Sequence, residues 1–229
     1  LGLQSPLALL FLSVNQNCGF YSEVLILGLE KEIKFVCPDI KNTRVKIGNA
    51  GGKGLGPWYL EKNIVLDTAE GKLGARGELL RLRTADARGK LTFKAPQSAG
   101  NNSGLKVRRE TETEIKDVRA MREIFVRLGY HPCLRYEKFR RKWELLGAVV
   151  CLDILPFGRF LELEGDWDSI RACMEVLDLD PDSGSKGTYY DLYRESSQYT
   201  GNPDFVFSSQ AKERIARELE MNIERIKGE

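Results

Sequence analysis

Polar and apolar side chains alternate along most of this chain, and the alternation has a period of two. From Leu29 to Phe35 it reads Leu-Glu-Lys-Glu-Ile-Lys-Phe. Successive side chains of a strand point to opposite faces, so Glu30, Glu32 and Lys34 share one face, and Leu29, Ile33 and Phe35 share the other. The pattern predicts a first strand over about residues 25–36. Pro38 and Asp39 then open a short helix that runs to about Asn49. Trp58 to Asp67 reads as a strand and Glu70 to Leu73 as a turn. Leu79 to Thr84 puts Arg81 and Arg83 opposite Leu80 and Leu82, and Lys90 to Lys94 opposes Lys90, Thr92 and Lys94 to Leu91 and Phe93. The Ser/Asn/Gly-rich stretch from Pro96 to Gly104 closes a hairpin onto a strand from Leu105 to Ile115. That strand carries Lys106, Arg108, Glu110, Glu112 and Glu114 on one face. The period then changes. Val118, Met121, Ile124, Phe125 and Leu128 recur at helical spacing, with Gly129 as the stop. Three further strands follow, near Leu134–Lys142, Glu144–Asp153 and Phe160–Glu164. The rest is helical: one helix through Ile170, Met174 and Leu177, one at Tyr189–Tyr193, and one opened by Ser209 with a packing stripe of Ile215, Leu219, Ile223 and Ile226.

About eight strands joined mostly by short turns predict an antiparallel sheet that can close on itself. Most strands have one apolar face. The other face carries Glu30, Glu32, Lys34, Arg81, Arg83, Lys94, Arg108, Glu110, Glu112, Lys138, Arg140, Asp153, Glu162 and Glu164. An ordinary half-buried sheet turns such a face to water and needs no order in its charges. Here the bases gather on middle strands and the acids come in pairs, at Glu30/Glu32, Glu110/Glu112 and Glu162/Glu164. An inverted barrel accounts for this better: its charged face lines a tunnel and its apolar face is covered by helices. The fold class expected is therefore α+β, a closed eight-stranded antiparallel β-barrel with helices packed outside. Such a tunnel suits a polyanion on its bases and a divalent cation on its acids.

Composition narrows the alternatives. The chain has 229 residues, 35 basic and 33 acidic, for a net charge of +2, which does not favour a nucleic-acid polymer as partner. Its five cysteines are odd in number, widely spaced and without a C-x-x-C, which reads as reduced thiols of a cytoplasmic protein, with no disulfide framework or zinc site. A single histidine, His131 beside Pro132, leaves little room for a histidine-based triad and is read as structural. The glycine-rich run from Gly48 to Gly56 lacks the Gly-Lys-Ser/Thr of a phosphate-cradling P-loop and is expected to be a flexible loop. Residues 1–24 are expected to be a poorly ordered leader, too short in their apolar part to span a bilayer, and no membrane association is expected.

The ordered charges resemble those of the CYTH superfamily, the triphosphate tunnel metalloenzymes that include class IV adenylyl cyclases and thiamine triphosphatases. The likeness rests on Glu30-x-Glu32-x-Lys34, Arg81-x-Arg83, Thr92-Phe93-Lys94, Arg108-x-Glu110-x-Glu112, Lys138-x-Arg140, Asp153, and Gly158-x-Phe160-x-Glu162-x-Glu164, in that order from about Leu29 to Leu192. Leu128-Gly129-Tyr130-His131-Pro132, followed by Glu137-Lys138, is similar to the class IV cyclase branch. The resemblance implies a tunnel domain over 25–195 and leaves 196–229 as a C-terminal helical extension. It implies Mg²⁺ or Mn²⁺ on Glu30, Glu32, Glu162 and Glu164. It implies phosphate oxygens on Lys34, Arg81, Arg83, Lys94, Arg108, Lys138 and Arg140. Glu110, Glu112 and Asp153 would complete the metal site or orient a nucleophile. The substrate implied is a small triphosphate: tripolyphosphate, ATP or thiamine triphosphate. A homodimer is compatible with it. Hydrolysis is the leading expectation, cyclisation of ATP to cyclic AMP and pyrophosphate the first alternative, and a tunnel that binds polyphosphate or nucleotide without turnover the second. For an organic group at the tunnel mouth, Trp58, Tyr189 and Tyr190 are stacking candidates, although aromatics so placed are more often core.

Overall fold

The computed structural model describes residues 26–86, 88–97 and 106–222. The expected leader, Leu105, most of the Pro96–Gly104 loop, and Ile223 and Ile226 of the last helical stripe lie outside the described residues. Nine strands form one sheet: β1 (Ile26–Val36), β2 (Lys53–Gly54), β3 (Tyr59–Thr68), β4 (Leu79–Ala85), β5 (Arg88–Pro96), β6 (Lys106–Ile115), β7 (Tyr130–Leu145), β8 (Ala148–Leu155) and β9 (Gly158–Glu164). Eight of them run β7-β3-β4-β5-β6-β1-β9-β8, and β8 pairs back onto β7, so the sheet closes as an antiparallel barrel. The two-residue β2 is the extra strand, paired to the far end of β7 at Glu144 and Trp143. It lies within the glycine-rich run that was expected to be a loop throughout.

The barrel is inverted, as the alternation required. Its outer face carries the apolar side chains, and six helices among the described residues cover it: α1 (Ile40–Asn49), α2 (Lys72–Ala75), α3 (Val118–Arg127), α4 (Trp167–Leu177), α5 (Tyr189–Glu195) and α6 (Ser209–Glu218). The largest core joins Ile33 and Phe35 of β1, Phe139 of β7, Leu161 and Leu163 of β9, Ile170 and Met174 of α4, and Ile215 of α6. A second lies under α5 around Tyr136, Phe160, Tyr193 and Phe205, and a third holds α2 and α3 against Leu66, Leu80 and Leu82. Leu29, placed with Ile33 and Phe35 by parity, is instead exposed at the rim.

Local chemistry sets the helix starts. Asp39 accepts from the Asn42 N–H at 2.9 Å and caps α1, and Asp117 accepts from Arg119 and Ala120 at the start of α3. Two strand boundaries differ from the sequence expectation. Leu134–Lys142 and Glu144–Asp153 were expected to be separate strands, but β7 continues through buried Trp143 and Leu145. The turn lies instead at Leu146-Gly147, where φ is 49° and 84°, the left-handed pair of a two-residue hairpin. The strand also begins earlier than Leu134, so that His131 is exposed within β7 opposite Asp67. No helix among the described residues is long and apolar enough to cross a membrane.

Candidate functional site

The strands deliver their charged side chains into one cavity of about 760 Å³. β1 brings Glu30, Glu32 and Lys34; β4 brings Arg81 and Arg83; β5 brings Lys94; β6 brings Arg108, Glu110 and Glu112; β7 brings Lys138 and Arg140; β9 brings Glu162 and Glu164. All but one of the charged residues assigned a role from the sequence therefore meet on one surface. The exception is Asp153 of β8. It shares the inner face with Arg140 but is fully buried beneath the lining, where both oxygens are held by the Arg140 guanidinium, by Lys138 Nζ at 3.2 Å and by the Tyr189 hydroxyl, which donates at 2.6 Å. Trp58 does not reach the tunnel. It packs edge-on to Trp143 in the outer core, because its parity at the head of β3 is that of buried Leu60. Tyr189 and Tyr190 do line the cavity, and the Lys34 and Lys138 ammonium groups sit 5.3 and 5.0 Å from the Tyr189 ring centre.

Strand register explains the interleaving of charge. Lys34 faces Glu162, Glu61 faces Lys138, Arg140 faces Asp153, and Lys94 faces Glu110 across neighbouring strands. Lys34 lies 2.8 Å from Glu32 and 3.2 Å from Glu162, and Arg140 lies 2.8 Å from Glu162. On the opposite wall Lys94 bridges Glu30 and Glu110, and Lys90 reaches Glu112 at 2.6 Å. Two cross-strand pairs of the tunnel are of like sign: Arg83 of β4 stands opposite Lys90 of β5, and Glu32 of β1 stands opposite Glu164 of β9. Two carboxylates so placed destabilise a sheet unless something positive joins them.

The proton affinities follow these contacts. Against the cost of burial, Lys34 and Lys106 hold Glu32 below the usual carboxylate range, and Arg140 and Lys34 hold Glu162 far below it. Burial and the neighbouring Glu162 push Glu164 up to about 7. Burial, Glu32 and Glu110 raise Glu30, although Lys94 opposes them. Burial drives the Cys151 thiol far up, so it stays protonated. Cys151 Sγ and the Glu162 and Glu164 carboxylates lie within 4.8 Å of one another. With the thiol protonated, the donors on offer are carboxylate oxygens, which fit a hard divalent cation such as Mg²⁺ or Mn²⁺.

The bases show a second feature. Arg81 is 6% exposed, and among the described residues its side chain makes one hydrogen bond, from Nη1 to the Tyr136 hydroxyl at 3.1 Å. Its Nε and Nη2, and Nε of Arg83, are buried without an acceptor. Among the described residues, Arg81 and Arg108 have no carboxylate within ion-pair distance. A buried guanidinium normally finds its acceptors, and donors left over in a tunnel fit an anion by their chemistry.

Several groups at or near the lining were assigned no role from the sequence. Lys106 was placed on the face of Arg108 without a role, and Lys142 shares the parity of Arg140 and could have been found by extending it. Glu61 and Asn63 of β3 do not line the cavity but are almost fully buried, Glu61 against Arg83 and Lys138, and their strand gave a weaker signal. A bulge between Val65 and Leu66 of β3, opposite Leu134 and Pro132, places Cys133 and Leu134 together at one mouth beside Tyr190.

The sequence pattern of the CYTH domain matches residues 28–222. The chain belongs to the CYTH family. A candidate adenylate cyclase of Methanocaldococcus jannaschii is 27% identical over 153 residues, 66% of this chain and 84% of the relative. Among solved structures, a candidate adenylate cyclase of Vibrio parahaemolyticus shares the CYTH fold seen here with a TM-score of 0.62 at 18% identity, covering 72% of this chain and 97% of its own. A candidate adenylyl cyclase of Hippeastrum, described as having a dominant triphosphatase activity, matches with a TM-score of 0.54 at 18% identity over 73% of this chain and 95% of its own. These CYTH structures agree with the barrel in topology; at such identities the likeness is one of fold.

Proposed function

We propose that the tunnel binds a triphosphate together with Mg²⁺ or Mn²⁺ and hydrolyses it, the substrate being inorganic tripolyphosphate or an organic triphosphate. The observation that carries this reading is the set of buried Arg81 and Arg83 donors that lack acceptors inside a tunnel otherwise crowded with carboxylates. Phosphoryl oxygens supply those acceptors. Arg81, Arg83 and Arg108 take the phosphates first, because they have the least to give up. Lys34, Lys94, Lys138 and Arg140 exchange carboxylate contacts for phosphate ones. The carboxylates they release, Glu32, Glu162 and Glu164 with Glu30 nearby, are the group suited to hold the cation. A cation held there supplies neutralisation of charge on phosphate oxygens. Glu110 and Glu112 line the tunnel and are assigned to orient the attacking water. Asp153 has no oxygen to spare and acts by positioning Arg140 and Lys138.

The cyclase reading keeps one observation of its own. The mouth formed by Val65, Leu79, Leu134 and Tyr190 offers an apolar and aromatic wall that a bare polyphosphate does not need. The triphosphatase activity described for the Hippeastrum protein supports hydrolysis as the reaction of such a tunnel. The test supplies tripolyphosphate and ATP separately with Mg²⁺ or Mn²⁺ and identifies products. Phosphate from tripolyphosphate without cyclic AMP from ATP is expected. Cyclic AMP with pyrophosphate would replace hydrolysis by cyclisation. Triphosphate binding that survives EDTA, with no turnover under any metal, would leave a binding tunnel.

A further inference from the structure

A second cavity, of about 550 Å³, lies outside the barrel between α1, the head of β3 and the end of α6. Alternation along β7 creates it: Arg140 turns into the tunnel and Arg141 turns out. Arg141 stacks over the Trp143 ring at 4.9 Å and shares the cavity with Arg44 of α1. Two carboxylates, Asp86 and Glu220, stand on the same wall, yet neither arginine forms an ion pair among the described residues. Burial, together with the like charge of Arg44, pushes the Arg141 guanidinium down. Two donors on the lining residues, Nε of Arg141 and the indole Nε1 of Trp58, are buried without an acceptor, and Trp58 itself is 6% exposed. The remaining wall is apolar, from Leu60, Leu219 and Met221 beside the Trp58 ring.

We propose that this outer cavity binds an aromatic phosphomonoester, with its phosphate between Arg44 and Arg141 and its planar body against Trp58 and the apolar wall. Asp86 and Glu220 match the two guanidinium groups in number but pair with neither, so the arginine donors stay open to a phosphomonoester, whose three terminal oxygens reach both at once where a carboxylate has two. The phosphate oxygens also supply acceptors to the donors left over. The cavity is separated from the tunnel by β3 and β7, so its ligand does not depend on the triphosphate reading.

Phenyl phosphate is the probe, titrated into the full chain by calorimetry and by tryptophan fluorescence. Saturable binding is expected, weakened about tenfold by Arg44→Gln and by Arg141→Gln, since each removes a charge-assisted contact. It is expected to be unchanged by Arg81→Met, which lies in the tunnel. Benzoate and inorganic phosphate are each expected to bind about tenfold more weakly, lacking respectively the second charge and the planar body. Absence of binding, binding indifferent to both outer arginines, or binding lost in Arg81→Met would overturn the proposal. Equal affinity for benzoate or for inorganic phosphate would overturn the ligand class. Arg44 is exposed on α1, so Arg44→Gln keeps the test decisive even where Arg141→Gln does not fold.

Discussion

At the scale of single residues the tunnel holds two kinds of buried charge, and they respond to substitution in opposite ways. Arg81 is surplus to the folded state: two of its donors have no acceptor. Arg81→Met is therefore expected to leave stability unchanged or to raise it by about 1–2 kcal/mol, as other buried charges replaced by apolar groups do. The same change should weaken tripolyphosphate binding at least tenfold, by the loss of a charge-assisted contact. Urea unfolding and calorimetry read the two effects separately, and a marked loss of stability would refute the surplus. Asp153 is the opposite case. It is the common partner of Arg140, Lys138 and Tyr189. Asp153→Ala should cost about 3–5 kcal/mol, because it leaves buried cations without their anion. Glu61 adds a pH dependence. Against the cost of burial, Arg83 and Lys138 hold its folded pKa well below the ordinary 4.5. Its stabilisation is thus complete above about pH 4.5 and is lost as pH falls through the folded value. The stability of Glu61→Gln should accordingly fall less steeply in acid than that of the unsubstituted chain. Parallel acid limbs would show that Glu61 is not held as described.

At the scale of elements, β7 and α5 do most to shape the site. β7 is sixteen residues long because it serves its barrel neighbours in turn, β3 with its first part and β8 with its second, and the short β2 pairs beside that second part. Its alternation turns Lys138 and Arg140 inward, while Glu137 turns outward to Lys212 Nζ at 2.7 Å and fixes α6. α5 is started by a capping box between Thr188 and Asp191 and sets Tyr189 over Lys34 and Lys138. The β7–β8 turn gives a direct test. Gly147 has φ 84°, and a Cβ there would stand 2.8 Å from Ser169 Oγ. Gly147→Ala should destabilise the fold by more than about 1 kcal/mol, read by thermal or urea unfolding. A neutral result would show that the hairpin tolerates another turn. This turn also shows where the sequence stopped being legible. Strands with one charged and one apolar face announce themselves, and β1, β4, β5, β6 and β9 were found with their inward residues. Leu146-Gly147 has none of the Asn-Gly chemistry that marks such turns, and the apolar run on either side hid the boundary. β2 is too short to carry a period. Glu61 was missed because the nearest residues of its parity, Tyr59, Asn63 and Val65, carry no charge and so make no pattern with it, and Trp58 was offered to the tunnel because aromatic chemistry does not reveal which side of a closed sheet it faces.

At the scale of the whole molecule the deciding quantity is the charge balance of the tunnel. The described wall carries ten bases and nine acids, so the cavity is nearly neutral although each charge has an order of its own. A triphosphate brings several negative charges into that balance. Bound alone, it must draw bases from Glu32, Glu162 and Glu30 and leave those carboxylates buried beside one another, with Glu32 already facing Glu164. A divalent cation removes that cost. Cation and triphosphate are therefore expected to assist each other, and linkage requires the assistance to be equal in both directions. Tripolyphosphate should bind at least about tenfold more tightly with Mg²⁺ or Mn²⁺ than in EDTA, and the cation should gain affinity by the same factor when tripolyphosphate is present, a coupling of roughly 1–3 kcal/mol. Unfolding reports the same linkage. At a hundredfold excess over its dissociation constant, the ligand should add about 2.7 kcal/mol to stability. Inorganic monophosphate, which cannot span the arginines and the carboxylate-bound lysines together, should add much less. Glu32→Ala is the control that locates the effect: it should remove the coupling while leaving metal-free tripolyphosphate binding in place. Equal stabilisation by monophosphate and tripolyphosphate, or a coupling that survives Glu32→Ala, would mean that the anion is held by charge at large, without the matched tunnel described here.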